Sequence, residues 1–268
     1  MIKLIASDMD GTLLNDRKEL PGDFFEVFDE LERRGIKFTV ASGRSFDAVA
    51  HLFPEKYRTR LDFICDNGAN VIHEGKQVSV TPLDRPTFEQ LIRACEDIGG
   101  LRILVCAGRG TYHLTADAEF SAEIAKYYKN HIPCDDLLSV DDVIYKLAVC
   151  DMKGTQQHAK PAIDAIFGDR LNVQVSGPIW MDVMGAGVSK GSALRALGKH
   201  LGISADDTMA FGDFYNDADM LKYAGWSFAM ENGNPDVKRM TRFLARSNNE
   251  NGVLRAIRKY ALQEDSIK

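Results

Sequence analysis

Short apolar runs alternate with apolar residues at helical spacing at both ends of this chain, and the alternation breaks in the middle. Ile2 to Ser7 reads as a buried strand; Phe24, Val27, Phe28 and Leu31 then recur at helical spacing, and Gly35 is placed to stop that helix. Ile36 to Ala41 is a second strand, Phe46, Val49, Ala50 and Phe53 mark a second helix ended by Pro54, and Phe63 to Cys65 is a third strand. Val71-Ile72 and Val78 to Val80, joined through Glu74-Gly75, read as a hairpin. Strands separated by helices predict parallel βαβ units in an open sheet.

The texture then changes. A helix is predicted on Phe88, Leu91, Ile92 and Cys95, followed by strands at Arg102 to Cys106 and Thr111 to Leu114. A helix near Phe120, Ile124 and Tyr127 leads to a strand at Ile144 to Cys150 and a helix on Ile163, Ile166 and Phe167. Val173 to Val175 and Trp180 to Met184 complete an α+β pattern. Strand–helix alternation resumes with Leu194, Leu197 and Leu201 on a helix face and Thr208 to Phe211 as a strand. Met220, Leu221 and Ala224 mark the next helix, Ser227 to Met230 and Phe243 to Ala245 are strands, and a final helix carries Val253 to Tyr260. The expected fold class is α/β. A mostly parallel core sheet is built from residues 1–83 and 185–268, and residues 84–184 form an inserted α+β domain.

Composition narrows the function. A chain of 268 residues with 45% hydrophobic content accommodates a core plus an inserted domain. A net charge of -6 argues against nucleic acid, whose phosphate backbone selects positive surfaces. No apolar run approaches a membrane span, and Ile2 to Ala6 is too short and too polar for a signal-peptide core. The five cysteines are odd in number and form no CxxC pair, so free thiols in a reducing cytoplasm are expected rather than disulfides or zinc. Lys238, Arg239, Arg242, Arg246, Arg255, Arg258 and Lys259 make the C-terminal region basic without interleaved aromatic residues, which reads as a solvated face. Trp180, Met181 and Met184 are read as buried packing, with a lining of the junction between the two domains as the other reading.

Three polar clusters stand just beyond predicted core strands: Asp8-Met9-Asp10-Gly11-Thr12, Ser42-Gly43-Arg44 and Gly212-Asp213-Phe214-Tyr215-Asn216-Asp217. Ligands of open α/β sheets bind beyond the carboxyl ends of the strands, so these segments can converge although they are far apart in sequence. Asp8 and Asp10, spaced i and i+2, fall on one side of an extended backbone, and Asp213 and Asp217 add negative charge. A proton or a cation must relieve such crowding, and magnesium suits an oxygen-rich site that also holds phosphate. Taken alone, Asp8 and Asp10 could merely cap a turn; a second acidic cluster after another strand favours the shared crevice.

Lys190 begins a helix behind Ser189, a good N-cap, where a lysine and the helix terminus together attract an anion. The segment is no P-loop, because Lys190 precedes Gly191, and Gly185-Ala186-Gly187 completes no dinucleotide fingerprint. Ser42 and Gly43 offer a hydroxyl and an approachable N–H; Arg44 offers either a charged fork for substrate or an internal ion pair.

With these residues in order, the chain resembles the haloacid dehalogenase superfamily in its phosphatase branch. Asp66-Asn67-Gly68-Ala69, Met220-Leu221, Ala229-Met230-Glu231-Asn232 and Asn249-Glu250-Asn251-Gly252-Val253 are similar to the Cof-like subgroup with its type IIB cap. Gly233 and Asn249 depart from that subgroup, which more often has alanine and aspartate there. The resemblance implies a three-layer αβα Rossmann-like core and an inserted cap. It also implies a magnesium-dependent hydrolysis of small phosphate monoesters such as sugar phosphates, phosphorylated cofactors or nucleotides. By it Asp8 is the nucleophile that becomes an aspartyl-phosphate, and Asp10 is the general acid and base. Magnesium is implied at Asp8, the backbone carbonyl of Asp10 and Asp213, with Asp217 orienting water on the ion. Ser42, Gly43, Arg44, Lys190, Asn216 and the backbone N–H of Met9 are implied around the phosphoryl group and substrate. The implied partner is a small phosphate ester, with no nucleic acid or membrane, and the chain is expected as a monomer or homodimer.

Three other readings share parts of this pattern. A phosphomutase uses the same first half-reaction. A receiver-type signalling domain also phosphorylates an aspartate, but is about half this length and lacks the acid two residues on, here Asp10. A non-catalytic regulatory protein on the same fold would be expected to lose Asp8, Asp10 or Asp213, and all three are present.

Overall fold

The computed structural model describes residues 1–115, 118–128 and 130–263. Its strands in chain order are β1 Leu4–Asp8, β2 Lys37–Ala41, β3 Asp62–Cys65, β4 Asn70–His73, β5 Lys76–Val80, β6 Arg102–Ala107 and β7 Gly110–Leu114. They continue with β8 His131–Cys134, β9 Ile144–Cys150, β10 Leu171–Val175, β11 Trp180–Gly185, β12 Thr208–Gly212, β13 Trp226–Met230 and β14 Phe243–Ala245. They form two sheets. The larger runs β14-β13-β12-β1-β2-β3-β4-β5, and the smaller runs β10-β11-β9-β6-β7-β8.

In the larger sheet β1, β2, β3, β12, β13 and β14 are parallel, and β4 and β5 add an antiparallel hairpin. β1 is buried along its whole length, as a central strand covered on both faces must be. Its side chains alternate between two layers. Ile5 packs with Phe24, Val27, Phe28 and Leu31 of the helix Phe24–Arg33, whereas Leu4 and Ala6 pack with Leu194, Leu197, Met220 and Leu221 on the opposite face. Helices on both faces make the core a three-layer αβα sandwich, as the family resemblance implies.

The smaller sheet is antiparallel except where β7 meets β8. The helices Arg85–Ile98 and Ala159–Phe167 bury Phe88, Leu91, Ile92, Ile163 and Phe167 against Leu147, Val149, Met181 and Val183 on one face. On the other face Phe120 and Ile124 cover Leu104, Ala148, Cys150 and Trp180. Trp180 also donates its indole N–H to Glu123, so it is packing within this unit, whereas Met184 joins Ala69, Tyr145 and Val188 where the two sheets meet. The chain leaves the larger sheet after β5 and returns to it after β11.

Three elements differ from expectation. β8, His131-Ile132-Pro133-Cys134, carries a proline that cannot donate to a ladder, and it stands at the sheet edge where that loss is tolerated. The helix expected to run through Phe53 to Pro54 ends at Ala50, and Pro54 instead precedes the short helix Glu55–Arg58, whose first turn has no use for its missing N–H. The short helix Pro235–Met240 also lacked a long apolar period, and it buries Val237 alone.

The turn after β3 brings core segments together. Asp66 and Asn67 have positive φ (50° and 53°), and Gly68 follows at 106°. A Cβ on Gly68 would lie 2.2 Å from the carbonyl oxygen of Ser189, so that turn and the helix start at Lys190 fit only around a glycine. Gly68→Ala is expected to lower unfolding free energy by about 3 kcal/mol in denaturant titrations, through strain and the backbone clash. Gly22→Ala, where the new methyl has nothing within 4 Å, should stay within about 0.5 kcal/mol of wild type.

Candidate active site

The parallel register of β1 with β12, from Leu4 opposite Thr208 to Ser7 opposite Phe211, brings Asp8 and Asp213 out at the same sheet edge. The helix Lys190–Leu201 starts at that edge. Ser189 caps it by accepting from the N–H of Ser192, while the Ser192 hydroxyl accepts from the N–H of Ser189. This box fixes the first turn and sends the Lys190 side chain, which is fully buried, into the crevice. Its Nζ donates to Asp8 Oδ1 at 2.6 Å and to Asp217 Oδ1 at 2.7 Å. Asp217 Oδ2 accepts from the backbone N–H groups of Asp213 (3.0 Å) and Phe214 (3.2 Å), closing the loop on itself. Thr12 donates its hydroxyl to Asp213 Oδ1 at 3.2 Å. Gly11 has φ 81°, and a Cβ there would lie 2.5 Å from Asp213 Oδ2, so the turn after β1 needs glycine to admit that carboxylate.

Asp8, Asp213 and Asp217 each place a carboxylate oxygen within 4.8 Å of the others. Burial pushes Asp8 well above the usual carboxylate range, with Asp217 and Asp213 adding to the effect and Lys190 opposing it. Burial, then the Asp217 charge, raises Asp213 to about 7. Burial works against the Lys190 charge, yet Asp217 and Asp8 outweigh it and hold the lysine above its usual value. One ammonium thus faces three carboxylates in a largely buried crevice. The residual negative charge and the all-oxygen donor set fit a hard divalent cation.

The remaining sequence candidates lie around this centre. Ser42 is buried beyond β2, whose Ala41 is opposite Asp8, and its Oγ accepts from the N–H of Arg44 at 3.1 Å. Asn216 lies in the turn between Asp213 and Asp217 and donates Nδ2 to Asn67 Oδ1 at 3.3 Å. Met9 follows Asp8, with its side chain buried in the apolar layer beside Ile5. Asp10 stands apart from the carboxylate trio: Arg44 Nη2 at 2.6 Å and Lys18 Nζ at 2.8 Å hold its Oδ1. Burial would raise Asp10, but Arg44 and Lys18 outweigh burial and keep it below its usual value. Of the two readings left open for Arg44, the structure shows the internal ion pair.

The fold agrees with comparison to known proteins. Residues 5–257 match the family described as haloacid dehalogenase-like hydrolase. The chain belongs to that family. It is 31% identical over 265 residues, 98% of this chain and 97% of the relative, to the 5-amino-6-(5-phospho-D-ribitylamino)uracil phosphatase YbjI of Escherichia coli. It is 28% identical over 239 residues, 89% of this chain and 87% of the relative, to the HMP-PP phosphatase of Klebsiella pneumoniae. A solved Streptococcus mutans structure superposes with TM-score 0.90 at 28% identity, covering 98% of this chain and 100% of that one. A subclass IIB sugar phosphatase of the same superfamily shares the fold at TM-score 0.85 and 20% identity, covering 97% of this chain and 99% of that one. The haloacid dehalogenase-like chain therefore falls in the Cof-like branch, and its enzyme class is phosphoric monoester hydrolase.

Sequence reasoning gave no role to four residues that the structure brings to this region: Lys18, Asn67, Lys146 and Asp182. The signal for the last two was present as a lone charge in the middle of an apolar strand, in Ile-Tyr-Lys146-Leu-Ala-Val and Trp-Met-Asp182-Val-Met. Asp66, next to Asn67, is fully buried, and neither carboxylate oxygen has a partner among the described residues. Burial raises it to about 7, with Asp182 and Asp47 adding and Lys146 opposing. The folded protein thus holds the Asp66 proton more tightly than the unfolded chain, whose carboxyl titrates near 3.8. That preference stabilises the fold at acid pH and is lost as pH rises from about 4 through 7. Asp66→Asn removes the titration. From pH 5 to pH 8 its stability in denaturant titrations should gain on wild type by about 2 kcal/mol.

Proposed function

We propose that this chain is a magnesium-dependent phosphatase that hydrolyses small phosphate monoesters through a phosphorylated Asp8. The observation that carries the reading is the buried Asp8 carboxylate, tied to Lys190 through Oδ1 and flanked by Asp213 and Asp217. Magnesium would be held by Asp8, the backbone carbonyl of Asp10 and Asp213, and when bound it neutralises charge between the nucleophile and the phosphoryl group. Asp217 supports the centre from behind, since its oxygens are engaged by Lys190 and the two backbone N–H groups.

In the first half-reaction an Asp8 oxygen forms a bond to phosphorus, the ester P–O bond breaks, and Asp10 gives its proton to the departing oxygen. In the second, Asp10 takes a proton from water, the water oxygen bonds to phosphorus, and the Asp8–phosphorus bond breaks to release phosphate. Lys190, Ser42, the Gly43 and Met9 N–H groups and Asn216 hold phosphoryl oxygens through both steps, and such positioning accounts for most of phosphoryl-transfer catalysis. Arg44 and Lys18 keep Asp10 ionised in the present arrangement, so proton donation requires that pairing to loosen as the ester enters.

Residues 84–184 act as the cap over this crevice and supply the surroundings of the leaving group. The substrate is a sugar phosphate, a phosphorylated cofactor or a nucleotide; the name of the Escherichia coli relative supports testing a phosphorylated ribitylamino-uracil. All five cysteines are free, and no helix among the described residues is long and apolar enough to cross a membrane, which supports a cytoplasmic setting.

A panel of phosphate monoesters assayed for free phosphate tests the reading. Release should require magnesium, stop on adding EDTA, proceed without an added bisphosphate, and fall at least about 10³-fold in Asp8→Asn. Undiminished turnover in Asp8→Asn contradicts the mechanism, and turnover only with a bisphosphate indicates a mutase.

A further inference from the structure

Lys146 of β9 and Asp182 of β11 are both buried, and both reach out of the cap sheet into the core. Lys146 Nζ donates to Asp182 Oδ1 at 2.6 Å and to the backbone carbonyl of Gly43 at 2.7 Å. Asp182 Oδ2 accepts from Asn67 Nδ2 at 2.8 Å. Burial works against the lysine charge, but Asp182, Cys106 and Asp66 together outweigh it and hold Lys146 above its usual value.

Two relays run from this pair. In one, Lys146 fixes the Gly43 carbonyl and therefore the plane of the Gly43–Arg44 peptide, whose N–H donates to Ser42 Oγ at 3.1 Å. With its oxygen occupied as an acceptor, the Ser42 hydroxyl keeps its own proton to donate. In the other, Asp182 orients the Asn67 amide, whose Oδ1 accepts from Asn216 Nδ2 at 3.3 Å, leaving Asn216 a second amide proton. Asn67 is further anchored by its backbone N–H to the carbonyl of Ser42 at 3.1 Å. Each relay starts in the cap and ends on a side chain with one donor to spare. A buried ion pair contributes little stability compared with apolar residues of equal volume, so bulk stability alone does not account for it.

We propose that Lys146 and Asp182 are positioning residues through which the docked cap orients Ser42 and Asn216 for the phosphoryl group. The phosphate pocket is thereby complete only while the cap is docked. This rests on the assignment of Ser42, Gly43 and Asn216 to phosphate.

The test compares wild type, Lys146→Met, and the double variant Lys146→Met with Asp182→Leu, which removes both charges and leaves neither unpaired. Thermal unfolding reports integrity, magnesium-dependent binding of inorganic phosphate by calorimetry reports the pocket, and kcat and KM for an aryl phosphate report chemistry. The double variant should unfold cooperatively near the wild-type temperature yet bind phosphate about tenfold more weakly and turn over at least about tenfold more slowly. A double variant that is folded and within about twofold of wild type in both phosphate affinity and kcat overturns the proposal. Should wild type hydrolyse no ester, weaker phosphate binding in the variant would still support the positioning role while the phosphatase reading fell. Unchanged variants of an active wild type would sink the positioning role alone.

Discussion

One ammonium group shared by two buried carboxylates, with a third beside them, sets the terms for the rest of this molecule. Lys190 can meet Asp8 and Asp217 together only if β1 lies parallel beside β12 and the helix behind Ser189 begins at their carboxyl ends. A one-residue slip of β1 would turn Asp8 toward the opposite face of the sheet. The continuous burial of β1, the two helical layers and the capping box are therefore conditions for the site as much as for stability. The cluster remains short of positive charge, which is what makes it receptive to a cation.

The insertion adds a second constraint. Ala69, Tyr145, Met184 and Val188 form an apolar seam between the two sheets, and beside it the Lys146–Asp182 pair reaches Gly43 and Asn67. Asn67 is tied at once to the cap, to Ser42 and to Asn216. Its left-handed backbone, and that of Asp66, are strained conformations held by these ties. Insertion and core thus meet through the turn at Asp66–Gly68, which is tied to Ser42 and Asn216.

The core was largely legible in the sequence because its signals are local. Ile2 to Ser7 and Thr208 to Phe211 are apolar runs of strand length, Leu194, Leu197 and Leu201 keep a helical period, and the acids stand directly after the strands that carry them. β8 was missed because Pro133 argues against a strand unless the strand is known to be an edge, and edges are a property of the assembled sheet. Convergence of Asp8, Asp213 and Asp217 followed from the rule that ligands sit beyond strand ends, and Lys190 was legible as a lysine at a helix start. The partners of Asp10 did not follow, because the reach of Lys18 and Arg44 depends on the path of two loops. Lys146 and Asp182 announced themselves only as charges inside apolar strands, and what they touch is fixed by how the cap lies on the core.

In the proposed reaction the oxygen that bonds to phosphorus comes from Asp8 of this carboxylate cluster. A crystal structure grown with magnesium and beryllium trifluoride tests it most directly. The account predicts the trifluoride bonded to an Asp8 oxygen, a magnesium ion touching Asp8 and Asp213, and Lys190 directed at a fluorine. A trifluoride bonded to any other residue, or metal density away from Asp8 and Asp213, would contradict it.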